Sequence, residues 1–291
     1  MPELPEVETV RLGLRPALLG HRFTHIVTRR GNLRIPFPDA FVHRLRKRKV
    51  VHLRRRAKYI LADLDNGETL IIHLGMSGRM TVYKRGRAVA LDGLEGESAA
   101  AEEGHGPHDH VIFETDAPAR IVFTDHRRFG LMTLAKTGEL EEHKLFKGIG
   151  PEPLGKNFTA KSFSDTIRGK KTSIKAALLD QRVLAGIGNI YACEALFRAG
   201  ISPRRMASSV AGERAKRLVP AIKHVLKAAI EAGGSSLRDY RKSDGELGYF
   251  QHRFAVYDRA GERCPKKGCK GTIKRIVQTG RSTFYCPACQ K

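Results

Sequence analysis

Gly148-Ile149-Gly150-Pro151-Glu152-Pro153 divides the chain into two stretches with different hydrophobic periods. Glycine or proline at four of six positions disfavours both helix and central strand, so the segment reads as a linker. Upstream of it, short apolar runs point to strands between residues 23 and 82, resuming at 111–113 and 121–124. The clearest pair is 59–64 with 69–74, about the hairpin turn Asn66-Gly67. Residues 2–19 read instead as a helix, with Val7, Val10 and Leu14 on one face. Downstream, helical patterns cover about 159–168, 172–181, 189–199 and 212–232, with Pro220 placed near the first turns of the last. A Gly/Ser/Asp-rich loop follows at 233–248. Residues 86–107 are rich in Gly, Glu and Ala without a strand pattern and read as a mobile surface insertion. The class is therefore α+β.

The chain has 291 residues, enough for two domains and a small appendage. Its 53 Lys+Arg against 30 Asp+Glu leave a net charge of +23, which calls for a polyanionic partner. Residues 44–58 concentrate that charge, with nine Lys/Arg in fifteen positions, and read as a strand with a basic solvent face. An anionic membrane is the competing partner, but no apolar run approaches the roughly 18–20 residues of a spanning helix. Glu3, Glu6 and Glu8 near the start are unlike a signal peptide, so cytoplasmic residence is expected.

Four of five cysteines fall in the last 28 residues as Cys264-x4-Cys269-x16-Cys286-x2-Cys289. Two knuckles separated by a hairpin-length spacer suit tetrahedral thiolate coordination of one structural Zn2+. Four thiolates leave no open position, so the metal has no catalytic role. Lys270, Lys274, Arg275 and Arg281 make the finger basic, with Gly280 at its turn and Arg281 at its tip. Cys193 stands alone in an apolar helical stretch and reads as core.

Pro2-Glu3-Leu4-Pro5-Glu6-Val7-Glu8-Thr9 admits two readings. Proline and glutamate are ordinary residues for a helix start. Without Met1, however, Pro2 is a secondary amine whose reference pKa is about 8 and which a helix dipole lowers further. Beside Glu3 it can attack a carbonyl-like carbon and form an iminium.

Further motifs are Arg56-Ala57-Lys58-Tyr59, His73-Leu74-Gly75-Met76-Ser77-Gly78, Asp125-His126-Arg127-Arg128-Phe129-Gly130 and Gly186-Ile187-Gly188-Asn189-Ile190-Tyr191. With the N-terminal octet and the finger, in this order, they make nearly the whole chain resemble the formamidopyrimidine-DNA glycosylase family. Its bacterial members excise 8-oxoguanine and ring-opened purines. Leu4 favours this branch over the related endonuclease VIII branch, which typically opens Pro-Glu-Gly-Pro.

The resemblance implies an N-terminal β-sandwich flanked by helices over residues 2–150. It implies a helix–two-turn–helix DNA-binding domain over 151–252 and a β-hairpin zinc finger over 253–291, with DNA between the two halves. The implied partner is double-stranded DNA carrying oxidised or abasic sites, bound by a monomer that needs no membrane. The implied activity is glycosylase with β,δ-elimination, on a base flipped out of the stack. By motif match Pro2 is the nucleophile and Glu3 the acid/base group, with Glu6 and Glu8 left to cap or pair. Lys58 and Arg281 grip phosphate and assist elimination. Met76, Arg127 and Phe129 fill the hole left by the flipped base, as wedges between base steps do. His73, His108, Lys170 and Asn189 are DNA contacts, Asn189 at a glycine turn that opens a helix. The loop 233–248, with Ser235, Ser236 and Gly245, covers the flipped base.

Overall fold

A computed structural model describes residues 2–84, 87–88, 106–235 and 248–291. The chain forms two compact units, Met1–Lys147 with Ala232–Tyr249, and Gly148–Glu231 with Phe250–Lys291.

The first unit begins with α1 (Leu4–Leu18). Leu4, Val7, Val10, Leu14 and Leu18 recur at helical spacing and are at most 1% exposed, so one stripe of the helix is core. Nine strands follow: β1 (Phe23–Thr28), β2 (Val50–Arg56), β3 (Tyr59–Leu64), β4 (Glu68–His73), β5 (Arg79–Lys84), β6 (Arg87–Ala88), β7 (Asp109–Thr115), β8 (Ala119–Thr124) and β9 (Leu131–Lys136). They make two antiparallel sheets, in the orders β1-β7-β8-β5-β6 and β2-β3-β4-β9. Alternate residues of both sheets enter one apolar cluster together with α1: Ile60 and Ala62 of β3, Leu70 and Ile72 of β4, Val111 and Phe113 of β7, Ile121 and Phe123 of β8. Each such Val, Leu, Ile or Phe side chain contributes about 1.5–3 kcal/mol by leaving water. The hairpin about Asn66-Gly67 pairs Ile60 with Ile72 and Ala62 with Leu70, so the turn sets the register that buries these residues.

Four features depart from the sequence expectation. A one-turn helix α2 (Phe41–Leu45) interrupts the strands and is too short to show a period. β9 was not anticipated; it forms by pairing along β4. β6, paired with the end of β5, lies within the stretch expected to lack strands, while residues 89–105 of that insertion lie outside the described residues. Finally, the basic run is a strand only from Val50, and while Arg46, Lys47, Arg48 and Arg54 are exposed, part of the run is paired. Arg54 forks onto Asp63 (Nε–Oδ2 2.7 Å, Nη2–Oδ1 2.8 Å), Arg55 reaches Glu8 at 3.2 Å, and Arg44 pairs with Glu68. These carboxylates sit on neighbouring elements, where a sequence pattern cannot show them.

The second unit holds α3 (Ala160–Ile167), α4 (Ile174–Leu179), α5 (Asn189–Ala199) and α6 (Glu213–Glu231), then the hairpin β10 (Lys274–Gln278) and β11 (Arg281–Tyr285). Thr159 and Ser173 cap α3 and α4 through side-chain oxygens. The β10–β11 turn places Thr279 at φ +49° and Gly280 at φ +71°, the left-handed pair that a two-residue hairpin requires. No described helix is long and apolar enough to cross a membrane.

Pro220 sits eight residues into α6, deeper than expected, and is exposed. It leaves the carbonyl of Lys216 without an intrahelical N–H. Pro220→Ala is expected to stabilise the second unit by about 1–3 kcal/mol. A rise in the urea unfolding midpoint checks this; an unchanged or lower midpoint means that the surroundings already compensate for the proline.

Candidate active site and metal centre

The buried apolar stripe of α1 carries the start of the chain into the interior. Pro2 is buried and Glu3, at the helix N-cap, is 4% exposed. Glu6, 2% exposed, accepts the Glu3 N–H at 2.8 Å through Oε2. Its other oxygen accepts the Ser235 N–H at 2.9 Å and the Ser235 hydroxyl at 3.1 Å. Glu8 is engaged by Arg11 and Arg55; burial pushes its carboxyl up, but the two guanidiniums outweigh that and hold it below the usual range. Of the three acids, Glu6 and Glu8 are thus committed to structure, and Glu3 adjoins Pro2.

Lys58 is 8% exposed and lies in the turn between β2 and β3, not on a strand. Ala57 before it adopts φ +52°, and its carbonyl accepts from Arg55 at 2.8 Å. His73, at the end of β4, packs on Tyr59 with centroids 4.8 Å apart. Its Nδ1 accepts the Gly75 N–H at 3.0 Å. An amide N–H can only donate, so the imidazole proton resides on Nε2. Burial, then the charges of Lys58 and Arg34, lower its pKa to about 4. His73 therefore offers a neutral N–H donor at neutral pH.

Met76 and Phe129 are 37% and 43% exposed, which removes them from the core. Met76 sits in the turn 75–77 and Phe129 in the loop after β8. The Arg127 guanidinium lies 4.6 Å from the centre of the Phe129 ring. The His108 and His126 rings lie 4.4 Å apart, tilted by 47°. The structure thus brings Lys58 and His73 into one field and gathers Met76, Arg127 and Phe129 on two adjacent loops.

Lys170, Asn189 and Arg281 belong to the second unit. Lys170 is half-buried in the loop between α3 and α4. Asn189 is the first residue of α5, while Gly188 holds the cap position, so it is not the capping side chain. Its amide donates instead to the Ser282 carbonyl at 2.9 Å. Lys175, 1% exposed, donates to that carbonyl at 3.1 Å and to the Thr283 hydroxyl at 2.6 Å. β11 is therefore fastened immediately after exposed Arg281. Glu194 of α5 accepts the N–H groups of Ala255, Val256 and Tyr257 at 2.9, 3.0 and 2.8 Å. Burial pushes its carboxyl up, and the three donors draw it back.

The four clustered cysteine sulfurs lie within 4.8 Å of one another. Cys264–Cys289 and Cys269–Cys286 are 3.8 and 3.7 Å apart. Tetrahedral zinc with bonds of about 2.3 Å separates its sulfurs by about 3.8 Å. A Cβ on Gly271 would lie 2.7 Å from the Cys286 sulfur, so the cradle needs glycine there. The donor set fits one structural zinc ion.

Sequence reasoning missed Lys175, Glu194 and Asp125. The available signal was an ionisable residue amid apolar ones: Lys175 in Ser173-Ile174-Lys175-Ala176-Ala177 and Glu194 in Ala192-Cys193-Glu194-Ala195-Leu196. Ser235 lies at the root of the loop 233–248, whereas Ser236 and Gly245 are outside the described residues.

The low pKa of His73 has a stability consequence. Unfolded histidine titrates near 6.5, folded His73 near 4. Between these values only the unfolded chain binds the proton, so stability from this group is complete above pH 6.5 and falls as pH drops toward 4. An imidazole NMR titration is expected to show His73 neutral at pH 5.5, and His73→Gln should flatten the loss of urea stability between pH 6.5 and 4. A midpoint near 6.5 would contradict the buried, Gly75-bonded geometry.

Three family models match the chain: the formamidopyrimidine-DNA glycosylase N-terminal domain over residues 1–132, its H2TH domain over 149–241, and a zinc finger found in FPG and IleRS over 261–291. Formamidopyrimidine-DNA glycosylases of Ruegeria pomeroyi and Afipia carboxidovorans are each 55% identical to it, with both chains covered in full. The MutM (Fpg) protein of Thermus thermophilus superposes with a TM-score of 0.82 at 39% identity, over 99% of this chain and 98% of that one. Lactococcus lactis Fpg in complex with abasic-site DNA gives 0.83 at 31% identity, with full coverage of both. The chain belongs to the formamidopyrimidine-DNA glycosylase family.

Proposed function

We propose that the protein is a bifunctional DNA glycosylase and abasic-site lyase of base excision repair. It acts in the bacterial cytoplasm on oxidised purines, 8-oxoguanine and formamidopyrimidines, in double-stranded DNA. The observation that carries this is the buried Pro2-Glu3 pair at the head of α1. In this reading residues 2–150 form the catalytic domain, 151–252 the helix–two-turn–helix domain and 253–291 the zinc finger.

Once Met1 is removed, the Pro2 nitrogen attacks C1′ of the flipped nucleotide. The new N–C1′ bond forms as the glycosidic bond breaks, and a proton restores the departing base. Glu3 serves the sugar as acid and base, and the opened sugar is held as a cationic iminium. Because proline is a secondary amine, that iminium stays charged and draws electrons from the sugar. Loss of a proton next to it expels the 3′ phosphate, and a second elimination expels the 5′ phosphate. Water then releases Pro2. Lys58 and Arg281 bind the departing phosphates, Arg281 through a planar fork that matches phosphate oxygens. His73 adds a neutral N–H, and His108, Lys170 and Asn189 add backbone contacts. Met76, Arg127 and Phe129 occupy the gap in the duplex. Zn2+, bound by Cys264, Cys269, Cys286 and Cys289, supplies only the fold of the finger.

Borohydride should trap the protein on 8-oxoguanine DNA as a covalent adduct through Pro2. Pro2→Gly should greatly weaken trapping, excision and nicking. Glu3→Gln should abolish excision while duplex affinity stays within about tenfold, 1.4 kcal/mol. Full activity in protein shown by mass spectrometry to retain Met1 rules out the amine.

The finger is tested separately. Cys286→Ser should release zinc and DNA together. Arg281→Ala should keep zinc, lose affinity and the second elimination, and lower the salt slope of binding by about one unit. Stoichiometric zinc in Cys286→Ser, or wild-type cleavage by Arg281→Ala, would overturn this role.

A further inference from the structure

Met76 lies between β4 and β5, Arg127 and Phe129 between β8 and β9, and one buried side chain joins the two loops. We infer that Asp125 is a positioning residue: with Ser77 it clasps these loops so that Met76, Arg127 and Phe129 meet DNA as one preassembled wedge. The inference rests on the reading of those three residues as the wedge.

Asp125 is 0% exposed and Ser77 5%. The Ser77 hydroxyl donates to Asp125 Oδ1 at 2.6 Å, across 48 residues of sequence. The same Oδ1 accepts the Arg127 N–H at 3.3 Å, and that N–H also reaches the Ser77 oxygen at 3.2 Å. Oδ2 accepts the Gly130 N–H at 2.8 Å. One carboxylate thus grips its own loop beside Arg127 and beyond Phe129, and the Met76 loop through Ser77. Its backbone is fixed as well: the Asp125 N–H donates to the His108 carbonyl at 3.0 Å, and its carbonyl meets His110 Nε2 at 2.8 Å.

The two loops approach closely, and the approach requires glycine at position 75. A Cβ on Gly75 would lie 2.3 Å from the Phe129 carbonyl carbon, and Gly75 has φ +66°, a conformation that glycine adopts without strain. A carboxylate serving only to cap its own turn would need the Arg127 and Gly130 contacts alone. The Ser77 bond is the part that couples loop to loop. A wedge that must separate stacked bases gains from such rigidity, because ordering it does not have to accompany insertion.

The test uses full-length, zinc-loaded protein and compares two single-turnover rates. One is excision of 8-oxoguanine from a duplex, which requires the wedge; the other is cleavage of an abasic site in a single strand, which does not. Ser77→Ala and Asp125→Asn should lower the ratio of duplex to single-strand rate at least tenfold. Met76→Ala, expected to lower that ratio in the wild-type background, should lower it little further in the Ser77→Ala background. If Asp125→Asn fails to fold, Ser77→Ala, which deletes one hydroxyl, decides alone. An unchanged ratio in the clasp variants, or full additivity with Met76→Ala, overturns the clasp. If instead Met76→Ala and Phe129→Ala leave the ratio unchanged in the wild-type background, the wedge reading itself fails.

Discussion

The Glu6 carboxylate is the interaction on which the start of the chain, reactive in the proposed mechanism, depends. A chain terminus is its most mobile part, yet the proposed reaction needs the amine held within a fraction of an ångström of its target. The apolar stripe of α1 brings the terminus inside, but hydrophobic burial has no direction and cannot orient it. Glu6 adds direction by taking the Glu3 N–H, which fixes the peptide immediately after Pro2. Its second oxygen takes Ser235, 229 residues away. That bond ties Ser235 to the same helix start, so one buried acid holds both the peptide after Pro2 and Ser235.

Charge is used in two ways. The excess of +23 raises the local concentration of DNA at long range. Much of the densest basic run serves a different end. Arg44, Arg54 and Arg55 are held by Glu68, Asp63 and Glu8, fastening α2 to β4 and β2 to β3 and α1. Their carboxylates are largely buried, so removing an arginine would leave an uncompensated charge, and the pairs fix the frame that holds Lys58. His73 extends the distinction: within a strongly basic region it is a neutral donor, so in the proposed role it would orient a phosphate without adding to counterion release.

The second unit solves the problem of a small finger with little core of its own. Metal closes one end of it. The other end is grafted onto helices by buried polar groups, Lys175 and Asn189 on β11 and Glu194 on the segment 255–257. Cys193 of α5 shares an apolar cluster with Cys264 and Cys286, so the metal cradle rests on the helix that begins with Asn189. Removing a partner from any of these buried groups would leave an unsatisfied charge or donor, a far larger loss than a surface pair.

The sequence alone determined what depends on near neighbours. Helix and strand periods, the Asn66-Gly67 hairpin, the glycine–proline linker and the cysteine spacing were all legible, because each acts within a few residues. Six short motifs in order were enough to show the family resemblance. The glycines beside Met76 and Phe129 pointed to exposed turns, as found, but nothing local showed that Lys58 is buried in a turn, that His73 is neutral, or that Asn189 holds the finger instead of capping α5. Nor could the sequence separate Glu3 from Glu6 and Glu8 without the family pattern. Those properties were decided by the tertiary structure alone, because burial and hydrogen-bond partnership are set by groups that meet only on folding: Ser77 with Asp125 across 48 residues, and Glu6 with Ser235 across 229.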